Sequence, residues 1–122
     1  MRLITPGQFR CNCGKPKCGA PRPSLLLLFK INRAVLRAGV SDAVYIRSGC
    51  RCANTNKRLG GCPGSAHRFG LAADIGTSNL TTYQLSRLFD AVDREQFAAR
   101  GYGFGFIHVD IRKINAEGDH DV

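Results

Sequence analysis

The residues that most constrain this chain are His67 and Asp74, seven positions apart across Gly70, with the apolar run Leu71-Ala72-Ala73 leading into the carboxylate. A glycine lets the backbone turn, and an apolar run ending on an acid describes a strand that carries the acid into a buried layer. A lone carboxylate there is costly unless it is paired. Toward the end of the sequence, Phe106-Ile107-His108-Val109-Asp110-Ile111 reads as a short strand that places His108 and Asp110 on one face. Two histidines and one carboxylate, with a fourth position open, are what a catalytic zinc centre requires. A single histidine such as His67 is more often a loop or core residue; the weight lies in the combination.

A chain of 122 residues supports one hydrophobic core, so a single domain is expected over residues 1–122. The formal net charge of +9 implies an acidic partner, and charge alone does not separate nucleic acid from an anionic bacterial envelope. The longest notable apolar run, Leu25-Leu26-Leu27-Leu28-Phe29, falls far short of the ~18 residues of a membrane span. The opening Met1-Arg2-Leu3-Ile4-Thr5-Pro6 has no signal-peptide apolar segment, so synthesis in the cytoplasm is expected, with any action outside the cell following release. In that compartment the six cysteines read as thiols or metal ligands before disulfides.

Residues 1–23 read as a Cys-rich coil broken by Pro6, Pro16, Pro21 and Pro23. Cys11, Cys13 and Cys18, with Cys50 and Cys52, can supply four thiolates to a structural metal that ties this coil to the central stretch; the competing reading is a set of partly buried thiols. Cys62 has no evident partner and reads as a small packed residue. Ser24 is a candidate cap for a helix whose apolar stripe is Leu25, Leu28, Ile31 and Val35, flanked by Leu36, with Lys30, Arg33 and Arg37 opposite and Gly39 as its stop. Asn32 falls on the apolar side and needs a hydrogen-bond partner if buried. Short strands are expected at residues 43–46 and 71–75, a loop at 53–66, and a second helix at 82–99 with Leu85, Leu88, Phe89 and Val92 buried. Gly101, Gly103 and Gly105 precede the His108 strand with no helix after them, which weakens a phosphate-loop reading and suits close backbone approach. Residues 115–122 read as a flexible tail, with His120 a solvated residue in it.

The ordered set Ser48-Gly49-x-Arg51, Asn56, Gly60-Gly61, Ser65-x-His67, Gly70, Ala73-Asp74 and His108-x-Asp110 resembles the zinc-dependent D-alanyl-D-alanine carboxypeptidase and L-alanyl-D-glutamate endopeptidase family of cell-wall peptidases, which includes phage endolysins and shares its metal core with the hedgehog signalling domain. The resemblance covers residues 4–112, and the clusters Cys11-x-Cys13 and Cys50-x-Cys52 look like a small phage-associated branch. It implies that His67, Asp74 and His108 hold the zinc, that Arg51 binds a substrate carbonyl or carboxylate, and that Ser65 lines the same pocket. Many relatives carry a general base two or three residues before the last zinc histidine, where this chain has Phe106 and Gly105. Asp110 is the nearest substitute, either as the base or as a carboxylate that orients a zinc-bound histidine.

The expectation is therefore an α+β domain in which a small antiparallel sheet carries the zinc site and packs against two main helices. The expected function is hydrolysis of an amide in peptidoglycan stem peptides or cross-links by a monomer with one catalytic zinc and a candidate second, structural zinc. Anionic envelope polymers are expected partners. A basic zinc-stabilised nucleic-acid module competes, but the basic residues lack a recognition-helix or aromatic-platform pattern. An inactive peptidase fold used for wall binding or virion structure is the third reading.

Overall fold

The computed structural model describes residues 2–15 and 18–112, so the expected tail at 115–122, with His120, lies outside the described residues. In chain order the elements are α1 (Leu25–Ala38), β1 (Tyr45–Ser48), α2 (Ala53–Arg58), β2 (Ala72–Gly76), α3 (Thr82–Glu95), β3 (Ala99–Gly103) and β4 (Phe106–Asp110). The strands form one sheet in the order β1-β2-β4-β3 with every neighbouring pair antiparallel. The α+β expectation holds.

Helix α1 ends where the sequence places the stop: Gly39 takes a left-handed φ of 71°, and its N–H caps the last carbonyls. Its buried stripe is Leu27, Ile31, Ala34, Val35 and Ala38, while Leu25 is 80% exposed, so the apolar face is rotated from the one expected. Four successive leucines carry no phase of their own, which is why periodicity misplaced the start of the stripe. The Ser24 side chain makes no cap bond; its backbone N–H donates instead to the Gly70 carbonyl at 2.8 Å, fastening the head of α1 to the turn before β2. Asn32 finds the partner it needs, donating to the Ile4 carbonyl at 2.9 Å and accepting from the Ile4 N–H at 2.8 Å.

Thr81 and Gln84 form a capping box at the start of α3. The helix stops at Glu95, four residues short of the expected end, because Gln96 turns left-handed at φ 56° and the chain re-enters the sheet as β3. Strand β3 escaped notice because Gly101 and Gly103 are poor strand formers; it forms through pairing with β4 across the two-residue turn Phe104-Gly105, with Gly105 at φ 81°. The basic side of α1 is partly engaged at the end of α3, where Lys30 donates to the Glu95 carbonyl at 2.7 Å and Arg33 Nε stands 3.3 Å from Glu95 Oε2.

The two faces of the sheet divide the labour. Ala73, Ile75, Ile107 and Val109 are fully buried with Leu27, Ile31, Val35, Leu88 and Val92 of the two long helices. Asp74, His108 and Asp110 alternate with them on the other face. The expected loop at 53–66 contains the short helix α2, and a 3-10 helix, Ala66–Phe69, carries His67.

Because an L-residue in the left-handed region is strained where glycine is not, Gln96→Gly should raise stability by about 0.5–1 kcal/mol, read as a higher urea midpoint at unchanged slope.

Candidate metal centre

Strand register brings the first two candidate ligands together. Asp74 of β2 lies directly opposite His108 of β4, and His108 Nδ1 stands 2.8 Å from Asp74 Oδ1. His67 arrives from the 3-10 helix with Nε2 3.5 Å from the same Oδ1. One ligand atom from each of the three residues falls within a 4.8 Å group. The His67 ring is further defined by Nδ1, 2.7 Å from the Gly49 carbonyl. A carbonyl can only accept, so Nδ1 carries the proton and the Nε2 lone pair is left for a metal. On His108 the roles are exchanged, with Nδ1 facing the group and Nε2 3.7 Å from Asp110 Oδ2.

The backbone around His67 is clamped from both sides. Its N–H donates to Ser65 Oγ at 3.3 Å and its carbonyl accepts from the Arg51 N–H at 2.9 Å. Ser65 thus caps the short helix that presents His67. Arg51 sits over Asp74, with Nη2 3.7 Å from Oδ2. Its Nε donates to Ser48 Oγ at 3.1 Å and its Nη1 to Asn56 Oδ1 at 3.3 Å, which leaves further N–H donors on both terminal nitrogens. Asn56, buried on α2, also donates to the Cys62 carbonyl at 2.6 Å and so ties Arg51 to the 59–65 loop.

Asp110 is fully buried, and both of its oxygens are taken. Oδ1 accepts from the Arg112 N–H at 2.8 Å, while Oδ2 accepts from Arg112 Nε at 2.9 Å and pairs with Nη2 at 2.7 Å. Arg112 was not singled out from the sequence. The available signal was its i+2 spacing from Asp110 at the end of a strand, which keeps the two side chains on one side. The remaining described carboxylates are engaged elsewhere: Asp42 with Arg2, Asp90 with Arg94, Asp93 with Arg100, and Glu95 with Arg33.

Burial works against the charge on Asp74, but hydrogen bonds from His108 and His67 outweigh it and hold the carboxyl well below the usual range. Burial likewise opposes charge on His108, and the carboxylates of Asp110 and Asp74 overcome it, lifting the imidazole to about 9. Asp110, despite burial, is brought down to about 2 by His108 and Arg112.

Four of the five other candidate ligands also meet. One sulfur from each of Cys11, Cys13, Cys18 and Cys52 lies within a second 4.8 Å group. Cys50 does not join them; its side chain packs in the hydrophobic core at 2% exposure, and burial pushes its thiol up to about 11. Two residues apart, the pair would share a side of a regular strand; they part because β1 ends at Ser48 and Cys52 already stands at the N-cap of α2. Cys62 is exposed, not packed.

A donor set of two imidazoles and a carboxylate, each aimed by a further hydrogen-bonding group and with His108 still 29% exposed, fits a catalytic zinc site that keeps one position for water or substrate. Fold and site together have the form of a metal-dependent hydrolase. Residues 3–110 match the Peptidase M15 family, and the chain belongs to that family of zinc-dependent metallopeptidases. No curated protein and no solved structure gives a significant match.

In the metal-free protein, His108 has a folded pKa of about 9, above its unfolded value of ~6.5. Its contribution to stability is full below pH ~6.5 and is lost as pH rises through about 9. The urea midpoint of chelated protein should therefore fall between roughly pH 7 and pH 9.5, and His108→Gln should flatten that fall.

Proposed function

We propose that this chain is a zinc peptidase that hydrolyses an amide bond in peptidoglycan stem peptides or cross-links, acting in the manner of an endolysin. The observation that carries the reading is the convergence of His67 Nε2, Asp74 Oδ1 and His108 Nδ1 beside the fixed guanidinium of Arg51. His67, Asp74 and His108 would hold the zinc. Zinc so held supplies a Lewis acid for the scissile carbonyl and lowers the pKa of water from ~15.7 to roughly 7.

The chain's own residues supply orientation. Arg51 is held by Ser48, Asn56 and Asp74 in a fixed pose, so its free donors can meet a peptide carbonyl or a terminal carboxylate without reorganising. The Gly49 carbonyl and Ser65 hold His67 in its tautomer and place. Of the two roles open to Asp110, its surroundings support the orienting one: it is buried, doubly engaged by Arg112, and faces His108 Nε2. The net charge of +9 supports retention on anionic envelope polymers by a salt-sensitive attraction.

Mass spectrometry of purified peptidoglycan after incubation tests the reading. New free amino termini are expected, absent with His67→Ala or with chelator, and the fragment masses identify the bond. Bound zinc with no fragments would instead support a peptidase fold retained for wall binding. Arg51→Lys keeps the charge but loses the planar fork, and should lower kcat about 100-fold with little change in unfolding midpoint. Asp110→Asn separates the two roles of that residue. An orienting carboxylate predicts zinc affinity weakened about 10- to 100-fold and activity largely restored by excess zinc. A general base predicts lost kcat at full zinc occupancy.

A further inference from the structure

Residues 10–23 have little to hold them in the ordinary way. Among described residues 11–15 and 18–23 there is no helix or strand, and no backbone-to-backbone hydrogen bond is made. Cys11, Cys13 and Cys18 nevertheless converge on Cys52, a residue 34 positions beyond Cys18 in the sequence. Cys11 and Cys52 sulfurs lie 3.7 Å apart. That is far beyond the ~2.05 Å of a disulfide. It is close to the ~3.8 Å between sulfurs of a tetrahedral site with zinc–sulfur bonds of about 2.3 Å.

The surroundings are those of thiolates. The Lys15 N–H points to Cys13 Sγ at 3.4 Å and the Cys52 N–H to Cys11 Sγ at 3.4 Å. The Thr55 hydroxyl lies 3.4 Å from Cys11 Sγ and 3.3 Å from Cys52 Sγ. Cys13 and Cys18 are each followed by a left-handed glycine, Gly14 at φ 72° and Gly19 at φ 75°, a backbone that turns back beside the preceding side chain. Backbone amides and hydroxyls placed around sulfur are the outer partners that fix thiolate ligands on a metal.

We propose that Cys11, Cys13, Cys18 and Cys52 bind a second, structural zinc ion that fastens the N-terminal coil behind the catalytic centre. Four thiolates in a closed set select zinc or iron–sulfur chemistry, and a single four-sulfur group with no open position suits zinc. The fastening reaches the candidate active site through short links. Cys52 adjoins Arg51 and caps α2, which carries Asn56. The Cys50 N–H donates to the Phe9 carbonyl at 2.8 Å, and Gly49, whose carbonyl orients His67, packs against the Phe9 backbone too closely for any larger residue.

The test is metal content and cobalt spectroscopy on the full chain purified under reducing conditions, read without reference to activity. Wild-type protein should carry two zinc ions per chain, and His67→Ala and the pair Cys13→Ser with Cys18→Ser should each carry one. Cobalt-loaded wild type and His67→Ala should both show strong sulfur-to-cobalt charge-transfer absorption. The site described above has no sulfur ligand, so that signal reports the cysteines alone and decides the matter even if the serine variant does not fold. A single zinc per chain that the serine pair keeps and His67→Ala loses, cobalt spectra without the thiolate band, or a Cys11–Cys52 disulfide in reduced-purified protein would each overturn the proposal. A failure to cut peptidoglycan leaves these readouts untouched.

Discussion

Everything at the candidate metal centre depends on the register between β2 and β4. Asp74 faces His108 because Ala73 faces Val109 and Ile75 faces Ile107. A slip of one residue in either strand would turn its polar ligand into the core and its aliphatic residues out to the site. Burying each of the larger aliphatic side chains stabilises the fold by about 1.5–3 kcal/mol, and an unpaired carboxylate in their place would cost several more. The packing of α1 and α3 on one face therefore fixes the geometry on the other. No separate device is needed to align the pair.

The third ligand has no such ladder, and its placement draws on the first part of the chain. His67 sits on a 3-10 helix whose backbone is clamped by Ser65 and Arg51 and whose ring is aimed by Gly49. Gly70 ends that helix at φ 72° directly against the Arg22 carbonyl, where a side chain would collide with backbone. Gly49 is likewise pressed on Phe9, which is buried in the core together with Ile4. The N-terminal coil thus backs both glycines, so its own order bears on the aim of His67. On the proposal made above, Cys11, Cys13 and Cys18 of this coil, joined to Cys52, would supply that order.

Which features were legible in the sequence follows from how local their causes are. The stop of α1 at Gly39, the partner requirement of Asn32 and the shared face of His108 and Asp110 each follow from one residue's conformational or hydrogen-bonding needs. The meeting of His67, Asp74 and His108 was legible only through the ordered set of motif residues, since spacing alone does not reveal which strands pair. Strand β3 was missed because its glycines have no strand propensity of their own. Its stability comes from β4 and from Tyr102, whose ring packs on Phe89 and whose hydroxyl reaches Asp93 at 3.1 Å on the helix side of the sheet. The leucine run hid the phase of α1, and the separation of Cys50 from Cys52 depends on where the chain leaves the strand and turns into α2. Arg112 lay outside the sequence reading because its role exists only once Asp110 is buried.

That last pair bears on how the proposed peptidase would manage protons. Asp74 and Asp110 lie on one sheet face with His108 between them, yet their surroundings differ. Asp74 shares its charge with two imidazoles and one guanidinium, while Asp110 is enclosed by Arg112 on both oxygens. A proton acceptor works best when its pKa lies near the working pH, and Arg112 and His108 hold Asp110 at about 2. The same low value suits a carboxylate whose task is to remain charged and draw the Nε2 proton of His108 toward itself, which strengthens Nδ1 as a ligand. Arg112 would then act at one remove, by keeping Asp110 ionised in a site with no access to water. On this reading the positions three and two residues before His108, filled by Gly105 and Phe106, carry no base, and Asp110 does not substitute for one. Stabilisation of the developing charge would fall more heavily on the metal and on Arg51, whose three fixed contacts spare it the reorganisation that a free side chain would need.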